Sequence, residues 1–363
     1  MRIRAAVVDS ADAPFSFRDV ELDAPRPNEI LVRVVATGVC QTDAHIRAQD
    51  YETALPIILG HEGAGVVDRV GSEVTTVQVG DHVVMSYPSC GTCRYCLTGH
   101  AAYCVHGFEL SFLGERLDGS NAYGDVHGHF FGQSSFATYS LANERNVVKV
   151  SKDAPLELLG PLGCGMQTGA GTVFHSLNVQ AGSSVAVFGA GAVGLASIMA
   201  AKVVGASRII AVDVFDDRLA LAKELGATDV VNGKSTDVKA AIMDVTGGGA
   251  DYLVELTAQP EMLALGLECT AMMGHIAQVG GPPAGVKAKI DMNLLLNGRN
   301  MHGVIQGDSV PQLLIPELVA MHQHGNFPFD RLTKTYDFDD IEQAFTDTRT
   351  GVTIKPILRV SSL

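Results

Sequence analysis

Cys90, Cys93, Cys96 and Cys104 follow one another in the spacing C-x2-C-x2-C-x7-C. Thiols that close in sequence suit one tetrahedral metal site, and zinc accepts four thiolates without redox chemistry or geometric strain. Four protein sulfurs leave no position for a substrate, so such a site is structural. A pair of disulfides is the alternative. It fits less well, because the opening MRIRAAVVDSADAPF has no apolar run of a secretory signal and the other three cysteines are scattered. Taken singly, those three (Cys40, Cys164 and Cys269) and His61 read as buried thiols and a core imidazole.

A second signature is phosphate chemistry. Gly189, Gly191 and Gly194 form GAGAVG between the apolar run SSVAVF and a helix-like segment, and Asp213 closes the next strand-like run. The first glycine permits a tight turn, the second lets the backbone approach a pyrophosphate, and the third lets the helix pack on the strand. Asp213 is placed for the ribose hydroxyls of an adenosine. Its charge opposes the extra phosphate of NADP, which favours NAD, while Arg218 leaves NADP open.

These groups need elements to hold them. Residues 1 to about 150 alternate in short β-branched runs broken by Gly, Asp and Ser, as in EILVRVVATGV and DHVVMSY. Residues 105–132 form a long connection with little periodicity, expected as an ordered loop near a pocket. From about 166, strands alternate with helices of about 10–15 residues, the pattern of a doubly wound parallel sheet. The segment after 305 holds VPQLLIPELVAMHQHG, a helix, and VTIKPILRV, a strand, which returns to the first domain. The expected fold is therefore α/β: a β-rich catalytic domain over 1–165, a nucleotide domain over 166–305, and a returning tail over 306–363.

The whole chain limits its partners. It has 363 residues, is 47% hydrophobic, and carries a formal net charge of -14. A surface that acidic repels phosphate backbones and anionic membranes, and no basic helix follows the cysteine ladder, which disfavours a nucleic-acid zinc finger. The uncharged stretch from Ser183 to Ala201 reads as a buried strand and helix, not a membrane span. Seven cysteines suit a reducing, cytoplasmic setting.

In order along the chain, GVCQTDAH, GHEGAGVVDRVG, the four-cysteine lobe, GPLGCGMQTG, GAGAVG with Asp213, and GVTIKPIL resemble the zinc-containing alcohol dehydrogenases of the medium-chain dehydrogenase/reductase superfamily. The resemblance covers essentially the full length. It implies a GroES-like catalytic domain, a Rossmann domain, two zinc ions per subunit, and NAD. Cys40, His61 and Cys164 then bind the catalytic zinc, leaving a position for water or substrate. Two thiolates and a neutral imidazole balance the charge of that ion. Asp43 is implied to orient His61, and Glu62 to lie behind the metal. The Thr42 hydroxyl bonds the substrate oxygen, and the proton passes through the nicotinamide ribose to His45. Thr168 and Val193 are implied to press the nicotinamide, and Lys355 to contact a cofactor phosphate. Gln41 departs from the pattern, because many relatives carry a basic residue there. Cys269 matches no ligand position and reads as an inert core thiol.

Within that superfamily, GPLGCGMQTGAG, the 105–132 connection and FFGQSSFATYS are most similar to bacterial aryl alcohol dehydrogenases, with terpene-alcohol enzymes close by. The implied reaction is reversible oxidation of a primary aromatic or allylic alcohol to its aldehyde. By the same matching, the small Ser86 leaves room for a ring in the pocket, Tyr51 lines it, and Phe112 or other aromatics of the long connection cover its mouth. A dehydrogenase of formaldehyde–thiol adducts is the rival of the same class. A non-catalytic zinc and nucleotide sensor is the rival of another. Members of the superfamily are homodimers or homotetramers, with residues 290–307 as the implied contact.

Overall fold

The computed structural model describes residues 1–363 and divides into two compact units. Unit 1 comprises Met1–Gly165, Val310–Gln323 and Phe329–Leu363, and unit 2 comprises Met166–Ser309 and His324–Pro328. The chain thus re-enters unit 1 at Val310, a few residues later than 306.

Unit 1 is organised around the strand Glu29–Gly38. Nine of its ten residues are buried, because it pairs with Gly63–Val70, Tyr139–Asn143 and Lys355–Arg359 and is covered on both faces. A strand enclosed in this way needs a nearly continuous apolar run, and EILVRVVATG supplies one. The sheet runs Thr333–Asp337, Lys355–Arg359, Glu29–Gly38, Gly63–Val70, His82–Met85, Val147–Val150. The last strand of the chain is thereby built into the first domain. A smaller sheet sets Arg2–Val8 between Ser16–Glu21 and Ile57–Ile58.

The 105–132 connection is ordered, and it contains a short helix, Gly107–Phe112, that its sequence does not announce. No side chain caps that helix, so the usual start signal is missing. The connection is fixed elsewhere. Arg116 donates two hydrogen bonds to the buried Glu29 carboxylate, at 2.6 and 2.9 Å. Tyr123 is buried, donates to Gln133 O at 3.1 Å and accepts from Leu141 N at 3.0 Å.

Unit 2 is a six-stranded parallel sheet in the order Asp229–Asn232, Arg208–Asp213, Ser184–Phe188, Ala250–Glu255, Thr270–Gln278, Asn300–Gly303. Counted along the chain, that order is 3-2-1-4-5-6, the doubly wound dinucleotide-binding arrangement. Helix Val238–Thr246 stops where the sequence places a left-handed glycine, Gly247 (φ 73°). The uncharged Ser183–Ala201 stretch is the buried strand Ser184–Phe188 and most of the helix Ala192–Val203. No helix is long and apolar enough to cross a membrane.

The Arg116–Glu29 pair gives a test of what holds the long connection. Burial pushes the Glu29 carboxyl up, but the Arg116 guanidinium and the Arg26 amide together outweigh it and hold it below its ordinary 4.5. Arg116→Met leaves the buried carboxylate without its ion-pair partner, held only by the Arg26 amide at 3.0 Å, and should cost about 3 kcal/mol near neutral pH. Because the folded value is the lower one, this contribution is complete above pH 4.5 and disappears as pH falls through the folded value. Thermal midpoints of parent and variant, compared from neutral pH down to about pH 3, should therefore converge. A gap of constant size would refute the assignment.

Candidate active site

Strand Glu29–Gly38 ends in Gly38, and Cys40 caps the helix Gln41–Arg47 that follows. Asp43 lies in the first turn of that helix and is fully buried. Its Oδ2 accepts Cys40 N at 3.0 Å, and its Oδ1 accepts Gly60 N at 3.1 Å and His61 Nδ1 at 2.9 Å. One carboxylate thus fixes a thiol-bearing residue and an imidazole that are far apart in sequence. The other nitrogen, His61 Nε2, is buried and has no hydrogen-bond partner. It lies in a cluster with the Cys40 and Cys164 sulfurs and a Glu62 oxygen, all within 4.8 Å of one another.

This donor set fits zinc. An orphaned imidazole nitrogen facing two thiols is what a tetrahedral site requires, with a position left over. The charges agree. Burial opposes a cation on His61, yet Asp43 and Cys40 raise its proton affinity well above the ordinary value. Surroundings that hold a proton so tightly hold a metal cation by the same field. The Cys40 thiol is drawn well below its usual range, first by the hydrogen bond from Cys164.

The remaining predicted residues fall as follows. Thr42 Oγ1 is 3.8 Å from Cys40 Sγ, at the edge of the cluster. His45 lies one turn further along the same helix. Lys355 departs from the expectation of a phosphate contact. It is only 3% exposed, and its Nζ donates to Val39 O at 3.1 Å and to both oxygens of Glu62, at 2.8 and 3.0 Å. Burial pushes Glu62 up to about 7 despite that ammonium, and Glu62 in turn holds Lys355 above its ordinary range against the effect of burial. Ser86 also departs. It is fully buried and its hydroxyl donates at 2.8 Å to Gly163 O, so it steadies the approach to Cys164 and does not line an open wall.

Aromatic rings pack around the imidazole instead. The Phe131 ring stacks on His61 at 4.6 Å, Phe130 meets the same imidazole edge-on at 5.6 Å, and Phe112 packs on Phe131 at 5.2 Å and on Tyr51 at 6.1 Å. Sequence reasoning missed Phe131 and Gln133. Gln133 is buried, accepts Gly63 N at 3.1 Å, and donates to His61 O at 2.9 Å and to Ser86 O at 3.3 Å. Their signal lay in FFGQSS, whose single glycine suggests a turn but not its direction.

The four remaining ladder cysteines also converge, with their sulfurs within 4.8 Å. All seven cysteines are free thiols, which removes the disulfide alternative. Amides of Thr92 and Cys93 donate to Cys90 Sγ at 3.5 and 3.3 Å, and against the effect of burial they draw its thiol down to about 5. A thiolate prepared in this way is a ready metal ligand.

In unit 2, Gly189 takes a φ of 100° at the turn. A Cβ on Gly191 would meet nothing within 4 Å, leaving a cradle for a phosphate, whereas one on Gly194 would collide with Gly189 O. Asp213 accepts from Ala190 N at 2.6 Å, Val214 N at 2.7 Å and Phe215 N at 3.0 Å, with Arg218 at 3.9 Å. Gly169, next to Thr168, packs directly on the Val193 carbonyl. Cys269 is fully buried in this unit's core, and burial pushes its thiol up to about 12.

A GroES-like domain with two thiol-rich metal sites and a Rossmann sheet with its glycine turn define a zinc-dependent, nicotinamide-linked dehydrogenase. Comparison with known proteins gives the family. Residues 26–152 match the alcohol dehydrogenase GroES-like domain, and residues 192–321 match the zinc-binding dehydrogenase domain. The chain is 42% identical to a geraniol dehydrogenase of Castellaniella defragrans, over 98% of this chain and 97% of that protein. It is similar to a crystal structure of an alcohol dehydrogenase zinc-binding domain protein from Burkholderia ambifaria (52% identity, TM-score 0.98, all of both chains). It is also similar to the benzyl alcohol dehydrogenase of Acinetobacter calcoaceticus (50% identity, TM-score 0.98, 99% of this chain and all of that one). The chain belongs to the zinc-containing alcohol dehydrogenases of the medium-chain dehydrogenase/reductase superfamily.

Elemental analysis tests the ligand sets. The parent should hold two zinc ions per chain. Cys164→Ala and Cys104→Ala should each hold one, with only the second losing thermal stability strongly, because a closed four-thiolate site contributes directly to folding. Two ions retained in Cys164→Ala would refute the assignment.

Proposed function

We propose that this enzyme oxidises primary aromatic or allylic alcohols to aldehydes, reversibly, with NAD as hydride acceptor. The observation that carries the reading is the aromatic cluster at His61: Phe131 stacked on the imidazole, Phe112 packed on Phe131 and Tyr51, and Phe130 fully buried behind them. Flat π-faces recognise a ring or a conjugated double bond and give little to a two-carbon chain. Relatives named for geraniol and benzyl alcohol support the same class.

Bound zinc would supply Lewis acidity to the substrate oxygen and NAD the hydride acceptor. The protein does the rest. Cys40, His61 and Cys164 hold the metal, Asp43 fixes the His61 tautomer through Nδ1, and Thr42 Oγ1 hydrogen-bonds the reacting hydroxyl. His45 takes the released proton and passes it to solvent, to which its side chain is 40% exposed. NAD is favoured over NADP because a ribose phosphate would meet the Asp213 carboxylate, while Arg218 and Lys234 sit over the Phe215 ring at 4.8 and 5.1 Å.

We further read a homo-oligomer formed through unit 2. Its edge strand Asn300–Gly303 pairs on one side only, and Met272, Met273, Met292 and Leu296 are each more than 70% exposed. The acidic chain with its free thiols suits a reducing compartment and the cytoplasm.

Initial rates of NADH production decide the reading. Benzyl alcohol and geraniol should exceed ethanol in kcat/KM by about a hundredfold, the discrimination expected from a filled apolar pocket. Phe131→Ala should lower the benzyl alcohol value roughly tenfold and leave ethanol within about threefold. Activity confined to formaldehyde with a thiol would instead select the adduct dehydrogenases.

A further inference from the structure

Asp50 belongs to none of the motifs above, and the reaction as described gives it no task. Its Oδ2 lies 2.6 Å from His45 Nδ1. The helix end is shaped to make this contact. Helix Gln41–Arg47 closes at Ala48, and Gln49 turns into the left-handed region with a φ of 61°. The Gln49 side chain secures the turn, donating to Ile46 O at 3.1 Å and accepting from Thr53 N at 3.3 Å. Asp50 N then donates to His45 O at 3.0 Å. On a continued helix, a residue five positions on would point about 140° away from His45. The reversal at Gln49 brings the carboxylate back onto the ring, and a left-handed non-glycine residue persists only where its surroundings hold it.

His45 and Asp50 line one cavity of about 490 Å³ in unit 1. The charged groups facing them there are Asp12, Arg47, Glu342 and Arg349. Arg47 is engaged by Glu342 at 3.0 Å and by Ala13 O at 2.9 Å, whereas Asp50 is in hydrogen-bond contact with the imidazole. The two side chains are 40% and 46% exposed, so the pair adds little to stability. It does fix a geometry.

We propose that Asp50 is a positioning residue for the proton transfer, resting on the alcohol oxidation assigned above. Its carboxylate accepts Nδ1–H and so selects the tautomer whose lone pair sits on Nε2. The proton leaving the substrate hydroxyl ends on Nε2, the hydride with its electron pair goes to NAD⁺, and the imidazolium returns its proton to solvent. Asp50 acts through the imidazole and exchanges no proton with the substrate in this scheme.

The test uses the zinc-loaded full-length protein with ¹⁵N-labelled histidine. The His45 resonances are identified by their loss in His45→Ala. At alkaline pH the parent should show the Nδ1–H tautomer, and Asp50→Ala should move the ring toward Nε2–H. In kinetics, Asp50→Ala should lower kcat/KM for benzyl alcohol about tenfold, as loss of an orienting partner does, with an unchanged thermal midpoint. Asp50→Glu should recover part of that loss. In the His45→Ala background, Asp50→Ala should change nothing beyond about twofold. An unchanged tautomer in Asp50→Ala, or the same tenfold loss without His45, would overturn the proposal. The tautomer is read without turnover, so a parent that oxidised no alcohol would discard the assigned reaction and still leave the role of Asp50 decided by the spectra.

Discussion

The structure of unit 1 depends on one buried carboxylate. Asp43 has no exposed surface, and removing a charge from water is expensive unless hydrogen bonds replace the solvent. Three donors do so: Cys40 N, Gly60 N and His61 Nδ1. Each bond also places something. The first orients the cap of the helix that carries Thr42 and His45. The second holds a loop at Gly60, whose φ of 89° and contact with Phe136 admit no side chain. The third aims an imidazole nitrogen at two thiols. A neutral Asn in this place could accept only part of that set, and the three segments would no longer share an anchor.

The aromatic wall needs a different kind of support. Within six residues, His129, Phe131, Gly132 and Ser134 all adopt left-handed backbone, with φ of 58, 49, 61 and 51°. Only one of the four is a glycine, so the segment is strained and must be held by its surroundings. It is. Ser134 Oγ accepts Phe130 N at 2.9 Å and donates to Ile58 O at 2.7 Å, and Ser135 N donates to Gly60 O at 2.9 Å. Gln133 bonds both sides of the His61 segment. The conformation that turns Phe131 onto the imidazole is thus fastened to the loop that presents the imidazole. The Phe131 ring and the His61 imidazole are held by one hydrogen-bonded unit.

That coupling explains what was legible in the sequence and what was not. The cysteine ladder could be read from spacing, because its four ligands lie in one short loop. The glycine turn could be read from its flanks, because strand, helix and Asp213 lie within one βαβ unit. Cys40, His61 and Cys164 could not be joined by spacing at all. A lone thiol or imidazole has an ordinary core reading, and only family resemblance linked the three. Side-chain direction was the least legible quantity. Ser86 and Lys355 match pocket and phosphate positions, yet one turns its hydroxyl to Gly163 and the other its ammonium to Glu62. Phe131 and Asp50 depend on left-handed residues, Phe131 itself and Gln49, whose types do not advertise that conformation. The helix in the long connection was missed because tertiary packing, not a cap, starts it.

The placement of Lys355 changes how charge is divided in this enzyme. Glu62 is a second buried anion beside the two thiols, and unbalanced it would make the cluster more negative than a divalent cation can offset. Lys355 balances it at 2.8 Å, so two thiolates and a neutral imidazole remain to match a charge of +2. The same choice removes a cation from the nucleotide. Gln41 is neutral and Lys355 is buried, so neither position where the family sets a positive charge against phosphate carries a free one. In unit 2 the open Gly191 caps a helix N-terminus whose free N–H groups suit a phosphate. The last strand of the chain thus commits its buried cation to Glu62, beside the thiols.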